Sequence, residues 1–259
     1  MKYVFGSVFA LTLLIIACAR NSAGRNELNL VSDSEMDTMG DQAYQEILNT
    51  AQLSNSAGLN NEIYQIGQNI AVASGANFDW KFTVISEDTV NAFCLPGGKV
   101  AVYTGIIPVA ANNAALAAVL GHEVGHAVLR HSSERMSQQM LLQAGLSLAT
   151  LSFSDSPYKG IIAAAMGVGS TYGVQLPFSR LQESEADKVG LMYMAKAGYD
   201  PQEAIHLWER MGALSSSRPP EILSDHPDPS NRAKALSALM GEALNLYHAA
   251  PVKQPTISL

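Results

Sequence analysis

The sequence predicts a mostly helical α+β fold in which a short β-sheet precedes a central helix. Apolar residues recur with a helical period in several separate segments. Between Trp80 and Tyr103 the pattern changes to the alternation of apolar and polar residues that is typical of β-strands. Within this segment, Gly97-Gly98 separates two short strand-like runs. An apolar run from Ala114 to Leu129 then carries a His-Glu-x-x-His pattern. These observations together favour a small sheet beside a buried helix with a chemical role.

Length and charge limit the partners of the chain. The 259 residues suit one or two domains and bury a sizeable core. The formal net charge is -7, only 15% of the residues are charged, and no basic block is present. This composition argues against nucleic-acid binding.

Residues 1–17 have the features of an export signal. Lys2 precedes the apolar run from Val8 to Ile16, which is too short to span a membrane comfortably. Ile15-Ile-Ala-Cys18 resembles a bacterial lipobox, and that resemblance implies lipid on Cys18. A plain signal peptide, or a short anchor with an incidental cysteine, is the alternative. A lipidated Cys18 would leave Cys94 without a disulfide partner.

Residues 18–34 are polar and rich in small side chains, which predicts a tether. A helix is expected near Ser34, with Asp33 or Ser34 as its N-cap. A second amphipathic helix is expected from about Asn60 to Ala73, with three isoleucines on one stripe: Ile63, Ile66 and Ile70.

The His-Glu-x-x-His pattern comprises His122, Glu123 and His126. Residues four apart lie one turn apart on the same helix face, so both imidazoles can reach one metal ion. Glu123 can take a proton from water bound to that ion, which is the arrangement of a zinc hydrolase. The alternative is that both histidines are structural residues of a core.

His131 follows His126 by five residues, which points it off the ligand face of a continuous helix. It is therefore expected to be structural or to lie at the surface.

Residues 140–176 contain two apolar segments, each shorter than a membrane span. They predict a buried helical hairpin, with a membrane-dipping hairpin as the alternative.

A catalytic zinc site needs a third protein ligand. Glu183 is the best candidate, because it opens a predicted helix and Asp187 lies one turn later on the same face. Asp187 could then accept a hydrogen bond from the outer nitrogen of a ligand histidine. Glu185 points elsewhere on this helix. A solvated acidic helix start is the alternative.

The remaining chain predicts two more helices and a tail. Asp200 and Pro201 are expected to cap and begin one helix, and the closing helix is expected to run from about Ser230 to Leu246. The expected folded domain, which contains the candidate metal ligands, is residues 35–246. Residues 247–259 contain Pro251 and Pro255 and are expected to form a loose C-terminal tail.

Four motifs in order resemble the HtpX/Oma-like zinc metallopeptidases, and especially their lipoprotein members of the bacterial envelope. They are the run from Asn91 to Gly98, the His-Glu-x-x-His pattern, the acidic run from Glu183 to Asp187, and His226-Pro227 with Arg232. The resemblance covers about Arg25 to Leu246.

The resemblance implies roles for individual residues. It implies one zinc per chain on His122, His126 and Glu183, Glu123 as general base, and Asp187 behind a ligand histidine. It implies that His226 lies near the metal, where it assists the oxyanion or occupies the open position, with Arg232 close by. It also implies that Asn91, Ala92 and Phe93 form an edge strand along which the substrate backbone lies. Cys94 stands where a small residue is commoner, so metal or an oxidant could act there.

The expected function is zinc-dependent endopeptidase activity against misfolded or unassembled proteins of the bacterial cell envelope. Polypeptide substrates, and the membrane through an N-terminal lipid, are the expected partners. Ala19 is not acidic, which by resemblance to bacterial lipoproteins suits the periplasmic face of the outer membrane. The alternative is a periplasmic chaperone or assembly factor whose zinc site is structural or blocked by His226. The oligomeric state is not indicated.

Overall fold

The computed structural model describes residues 18–138, 140, 179–215, 222, 226 and 229–259. The expected export signal, nearly all of the apolar stretch at 140–176 and most of the loop at 215–220 lie outside the described residues. Within the described residues, no helix combines the length and apolar character needed to cross a bilayer. The chain divides into two units, one with residues up to Ser32 and from Ser133 to Leu176, and the other with the rest.

The first unit contains a hairpin within the expected tether. Strand β1 (Cys18–Arg20) pairs antiparallel with β2 (Asn26–Leu28). The side chain of Asn21 closes the turn by accepting hydrogen bonds from two backbone amides. Arg25 donates to both carboxylate oxygens of Glu134 at 2.7 Å. Polar composition alone did not indicate this hairpin, because its anchor lies more than a hundred residues away.

The second unit begins with two helices that the sequence predicted. Helix α1 spans Asp33–Thr50, and α2 spans Ala57–Ser74. Ser56 caps α2 by accepting a hydrogen bond from the Leu59 amide. The predicted isoleucine stripe of α2 is fully buried, which confirms that this face forms part of the core.

A three-stranded sheet follows, with β3 (Lys81–Ile85), β4 (Ala92–Leu95) and β5 (Lys99–Tyr103). The Gly97-Gly98 turn, where both residues have positive φ, joins β4 and β5 as an antiparallel hairpin. Strand β5 is central and also pairs with β3, in parallel. The hairpin confirms the sequence prediction. Strand β4 is left at one edge of the sheet.

The chain then passes through a 3₁₀ turn (Thr104–Ile106) and a short helix α3 (Ile107–Ala110) into helix α4 (Asn113–Val128). Asn112 caps α4 by accepting a hydrogen bond from the Ala115 amide at 2.8 Å. All residues of α4 from Asn113 to His126 are buried. Helix α4 contacts α2, strands β4 and β5, and two later helices, so it forms the centre of the unit.

The described residues of this unit contain three further long helices: α5 (Arg180–Lys196), α6 (Gln202–Ser215) and α7 (Pro229–Ala249). Ser179 and Gln182 form a reciprocal capping box at the start of α5. Asp200 accepts a hydrogen bond from the Gln202 amide at 3.0 Å, which confirms the predicted start of α6. Helix α7 ends three residues later than expected.

Glycines let helices α4 and α5 approach until their backbones touch. A Cβ atom added to Gly121 would lie 2.7 Å from the carbonyl oxygen of Gly190, and one added to Gly190 would lie 2.7 Å from the His122 amide nitrogen. A Cβ atom at Gly125 would meet Val189 and Ala186 at about 3 Å. This close approach fixes the distance between the two helices that carry the predicted metal ligands.

Residues 250–259 are not the loose tail that the sequence predicted. The side chain of Asn113 donates to the Pro255 carbonyl and accepts from the Ile257 amide, both at 3.0 Å. The Gln254 amide donates to the Gly198 carbonyl, and the Leu259 amide donates to the Ala111 carbonyl. Proline content suggested disorder, but these hydrogen bonds hold the segment across the start of α4.

The contact between the two glycines gives a stability prediction. Gly190→Ala should lower the free energy of unfolding by about 1–3 kcal/mol, because the added methyl group meets backbone that cannot move aside. Gly241→Ala is the matched control: Gly241 is an exposed helical residue with no atom near an added Cβ. It should leave stability unchanged or raise it by about 0.5–1 kcal/mol. Denaturant unfolding of both variants measures this, and equal effects would contradict the close-packing account.

Candidate metal centre

Four side chains converge at the centre of the second unit. His122 and His126 come from α4, Glu183 comes from the first turn of α5, and His226 precedes α7. Their metal-binding atoms lie within 4.8 Å of one another. All four side chains are buried, with between 2 and 5% of each residue exposed. The structure therefore brings together the three ligands predicted from the sequence and adds a fourth donor.

The spacing of these atoms fits a tetrahedral zinc ion. The Nε2 atoms of His122 and His126 lie 3.0 Å apart, and Nδ1 of His226 lies 3.1 Å from Nε2 of His122. The Glu183 Oε1 atom lies 2.8 Å from His226 and 3.2 Å from His126. Ligands about 2.0–2.1 Å from a tetrahedral zinc ion are separated by about 3.3 Å. The four donors thus fit zinc, with His226 in the fourth position.

Glu123 lies beside these donors without being one of them. Only 2% of the residue is exposed, and its Oε1 atom makes no hydrogen bond to any described residue. The nearest described cation-forming group is Nε2 of His226, 3.7 Å away. Burial raises the pKa of Glu123, although His226 and His122 oppose this effect. A buried carboxylate with a raised pKa and a free oxygen suits a general base.

The charges around the donors favour a cation at their centre. Burial alone would raise the pKa of Glu183, but the three surrounding histidines lower it, so Glu183 is ionised. Burial and Arg232 act to lower the pKa of His122, yet Glu183 and Asp187 outweigh them and raise it to about 9. Burial lowers the pKa of His126 well below its usual value. His126 is therefore neutral, as a metal ligand must be.

Asp187 and Arg232 lie directly behind the ligands. Asp187 Oδ1 lies 2.9 Å from Nδ1 of His122, where it can accept the hydrogen bond anticipated from the sequence. Arg232 Nε donates to Asp187 at 2.7 Å, and its NH1 atom lies 3.0 Å from Glu183. The guanidinium also stacks 3.4 Å from the centre of the Trp208 ring. Arg232 thus stabilises two buried carboxylates, and Trp208 is a neighbour that no sequence signal indicated.

Asn91 directly precedes edge strand β4, and Ala92 and Phe93 are its first two residues; no described strand pairs with the outer side of β4. Helix α4 packs against β4. Burial and the nearby charge of Glu123 raise the pKa of the Cys94 thiol. Among the described residues Cys94 is a free thiol. Its raised pKa keeps it protonated, which disfavours the metal or oxidant chemistry considered from the sequence.

His131 is a buried structural residue and not one of the four donors, as one of the two sequence alternatives held, but it and Glu185 lie closer to the site than the helical spacing predicted. His131 is fully buried, and its Nδ1 atom lies 2.9 Å from Nδ1 of His126. Its Nε2 atom lies 3.1 Å from Glu185. The prediction assumed a continuous helix, but α4 ends at Val128 and Arg130 has φ +57°. That turn redirects the chain and brings His131 back to the outer side of His126.

Comparison with known proteins identifies the family of the chain. Residues 57–240 match the model of peptidase family M48, and this range contains every ligand candidate described above. The chain belongs to peptidase family M48. Members of this family are zinc metallopeptidases, so the family, the mostly helical fold and the zinc cofactor predicted from the sequence are confirmed.

Curated relatives of the chain include mitochondrial and bacterial proteins. The chain is 39% identical over 170 residues to the mitochondrial metalloendopeptidase OMA1 of Arabidopsis thaliana, covering 65% of this chain and 33% of that protein. It is 39% identical over 176 residues to OMA1 of Schizosaccharomyces pombe, covering 67% and 50%. It is 31% identical over 201 residues to the beta-barrel assembly-enhancing protease of Escherichia coli, covering 75% and 41%.

The chain spans a third to a half of the length of these relatives. Its identity with the two mitochondrial proteins exceeds its identity with the bacterial one. The chain therefore resembles mitochondrial members of the family as well as the bacterial member, and its sequence identity with the mitochondrial ones is higher. The cellular location stays a prediction from the N-terminal sequence.

The ligand set gives a prediction about zinc content. Glu183→Ala should reduce zinc from about one ion per chain to near zero, because it removes the negatively charged ligand and leaves only neutral histidines in a buried site. His226→Ala should retain zinc, because both histidines of α4 and the charged Glu183 remain and water can replace the neutral His226. Elemental analysis of the full chain after dialysis measures both, with the exposed Glu209→Ala as control. Equal loss in the first two variants would instead indicate a four-ligand structural site.

Proposed function

We propose that the chain is a zinc-dependent endopeptidase of the bacterial cell envelope that hydrolyses misfolded or unassembled envelope proteins. The observation that carries the proposal is the buried Glu123, whose free carboxylate oxygen lies beside three converging metal ligands. A structural zinc site needs no such group, since its ligands alone satisfy the metal. A buried carboxylate oxygen that makes no hydrogen bond destabilises the fold, and such groups concentrate at functional sites.

The protein groups can carry the proton transfers of peptide hydrolysis. When bound, zinc supplies a polarised scissile carbonyl and a water of lowered pKa. Glu123 accepts the proton of the attacking water and delivers it to the leaving amine. Its buried surroundings raise its pKa, which favours proton uptake from water. Arg232 and Asp187 keep His122 and Glu183 in place throughout.

His226 determines whether the site is open. Its Nδ1 atom lies in the fourth position, within 3.1 Å of His122 and 2.8 Å of Glu183. A catalytic zinc site keeps one position for water and substrate. The described conformation therefore corresponds to a resting form, from which His226 must withdraw before a substrate binds. The same contact favours a second candidate function, a chaperone or assembly factor whose site stays closed.

Strand β4 suits an extended polypeptide substrate. An edge strand offers unpaired backbone groups, to which a peptide can add as a further strand. Backbone pairing recognises unfolded chain with little dependence on sequence, and this property favours misfolded or unassembled proteins as substrates. The name of the Escherichia coli relative, a beta-barrel assembly-enhancing protease, supports a role in envelope assembly.

Envelope location rests on the N-terminal sequence. The export signal and the lipobox-like residues before Cys18 support lipid attachment, and Ala19 supports the periplasmic face of the outer membrane. The lipidated cysteine would be the first residue of strand β1. The anchor would thus join a hairpin directly, with little intervening tether.

Lipid attachment is tested by labelling bacteria that express the full chain with a palmitate analogue. The wild type should incorporate the label, and Cys18→Ser should not, because the thioether site is lost. Cys94→Ser is the matched control and should label like the wild type. Equal labelling of the Cys18→Ser chain would contradict the proposed anchor.

Catalysis is tested by Glu123→Gln in the full chain with casein as an unfolded substrate. Hydrolysis should fall by about 10²- to 10⁴-fold, because an amide cannot accept the proton of water. Zinc content and thermal unfolding should stay close to the wild type, since Glu123 is not a ligand. Undiminished cleavage would refute the mechanism.

The His226→Ala variant, which should keep its zinc, separates the two candidate functions. If His226 blocks the resting site, its removal should increase casein hydrolysis. If His226 assists the oxyanion, hydrolysis should fall. No cleavage by the wild type or by His226→Ala, with aggregation of a client protein still suppressed, would favour the chaperone.

A further inference from the structure

The two ligand histidines have different outer partners. His122 contacts a carboxylate directly, through Nδ1 and Asp187. His126 instead contacts a second imidazole, that of His131, which in turn contacts Glu185. His131 belongs to none of the motifs that identified the site, and Glu185 lies within the acidic run from Glu183 to Asp187 without a role assigned to it.

The geometry of this outer chain specifies the position of each proton. The Nε2 atom of His126 faces the other donors and must carry a lone pair for the metal, so its Nδ1 atom carries the proton. That proton can be donated only if Nδ1 of His131, 2.9 Å away, is an acceptor. The proton of His131 is then on Nε2, which donates to Glu185 at 3.1 Å. Donors and acceptors match along the whole chain.

We propose that His131 and Glu185 are positioning residues that fix the tautomer and ring orientation of His126, and so control how tightly this chain holds its metal. The inference rests on the zinc site of the proposed function. Outer partners of metal-bound histidines act in this way because they hold the lone pair toward the metal and increase its basicity. Here the effect reaches the ligand through an intermediate imidazole.

The fold supports this assignment. The turn at Arg130 gives His131 its direction, and His131 is fully buried between α4 and α5. Helix α5 supplies the ligand Glu183 and both acidic outer partners, Glu185 and Asp187. One helix therefore orients both ligand histidines of α4. The side chain of Glu185 is 12% exposed, and its contact with the buried His131 helps to stabilise its charge.

The proposal is tested by the rate at which the full chain releases zinc to a chelating dye. His131→Phe keeps the ring volume but removes the acceptor, and Glu185→Ala removes the terminal carboxylate. Each should accelerate release by about 10- to 100-fold. His131→Asn places an oxygen near the former Nδ1 atom, and Glu185→Gln keeps an acceptor, so both should release zinc more slowly than the first pair. Glu209→Gln, at an exposed site, should match the wild type.

A merely structural role would give a different pattern. If His131 only fills space, His131→Phe should release zinc at the wild-type rate, and the Co²⁺ form should keep its visible absorption spectrum. That result would overturn the proposal. If His131 positions the ligand, the Co²⁺ absorption spectrum should change in His131→Phe and should be largely restored in His131→Asn. If the wild type contains zinc but His131→Phe and Glu185→Ala both release it at the wild-type rate, this inference is overturned and the proposed function is not. A wild type that binds no zinc would overturn the proposed function as well.

Discussion

The backbone contact between Gly121 of α4 and Gly190 of α5 is the constraint on which the site depends. It allows the two helices to approach more closely than side chains larger than hydrogen permit. His122 follows Gly121 directly, and Glu183 lies two turns before Gly190 on the same helix. The short distance between the helix axes therefore sets the short distances between the ligands. A wider crossing would leave the carboxylate of Glu183 beyond the reach of both histidines, although the sequence motifs would be unchanged.

Burial imposes a second constraint, because charges are costly away from water. Glu123, Glu183 and Asp187 place three carboxylates in the interior, and Arg232 is the buried guanidinium that contacts two of them. A divalent cation would balance the remaining negative charge. The raised pKa of His122 has the same origin, since a proton on its imidazole is attracted by the same carboxylates. The charges of the carboxylates, of Arg232 and of a bound metal ion would therefore stabilise one another.

The edge strand and His226 approach this unit from outside α4 and α5. Strand β4 lies close enough to Glu123 to influence the titration of Cys94. The Ile222 amide donates to the Val90 carbonyl, and the His226 amide donates to the Ile222 carbonyl. The chain segment that carries His226 is therefore hydrogen-bonded to the residues that lead into β4. The hydrogen bonds through Ile222 thus connect the position of His226 to the start of the edge strand.

The sequence by itself determined the features that depend on neighbours within one or two turns. It located the cap Asp200, the glycine turn of the hairpin and the histidine pair on one face of α4, because each follows from local geometry and hydrogen bonding. The four ordered motifs also indicated the family and the third ligand. Only the tertiary structure decided the parallel pairing of β3 with β5, the stacking of Arg232 on Trp208, the docking of residues 250–259 and the outer chain through His131 and Glu185. The turn at Arg130 shows the reason: a single residue with positive φ ends the helical period, and beyond it the position of a side chain is set by packing against residues that are far away in the sequence.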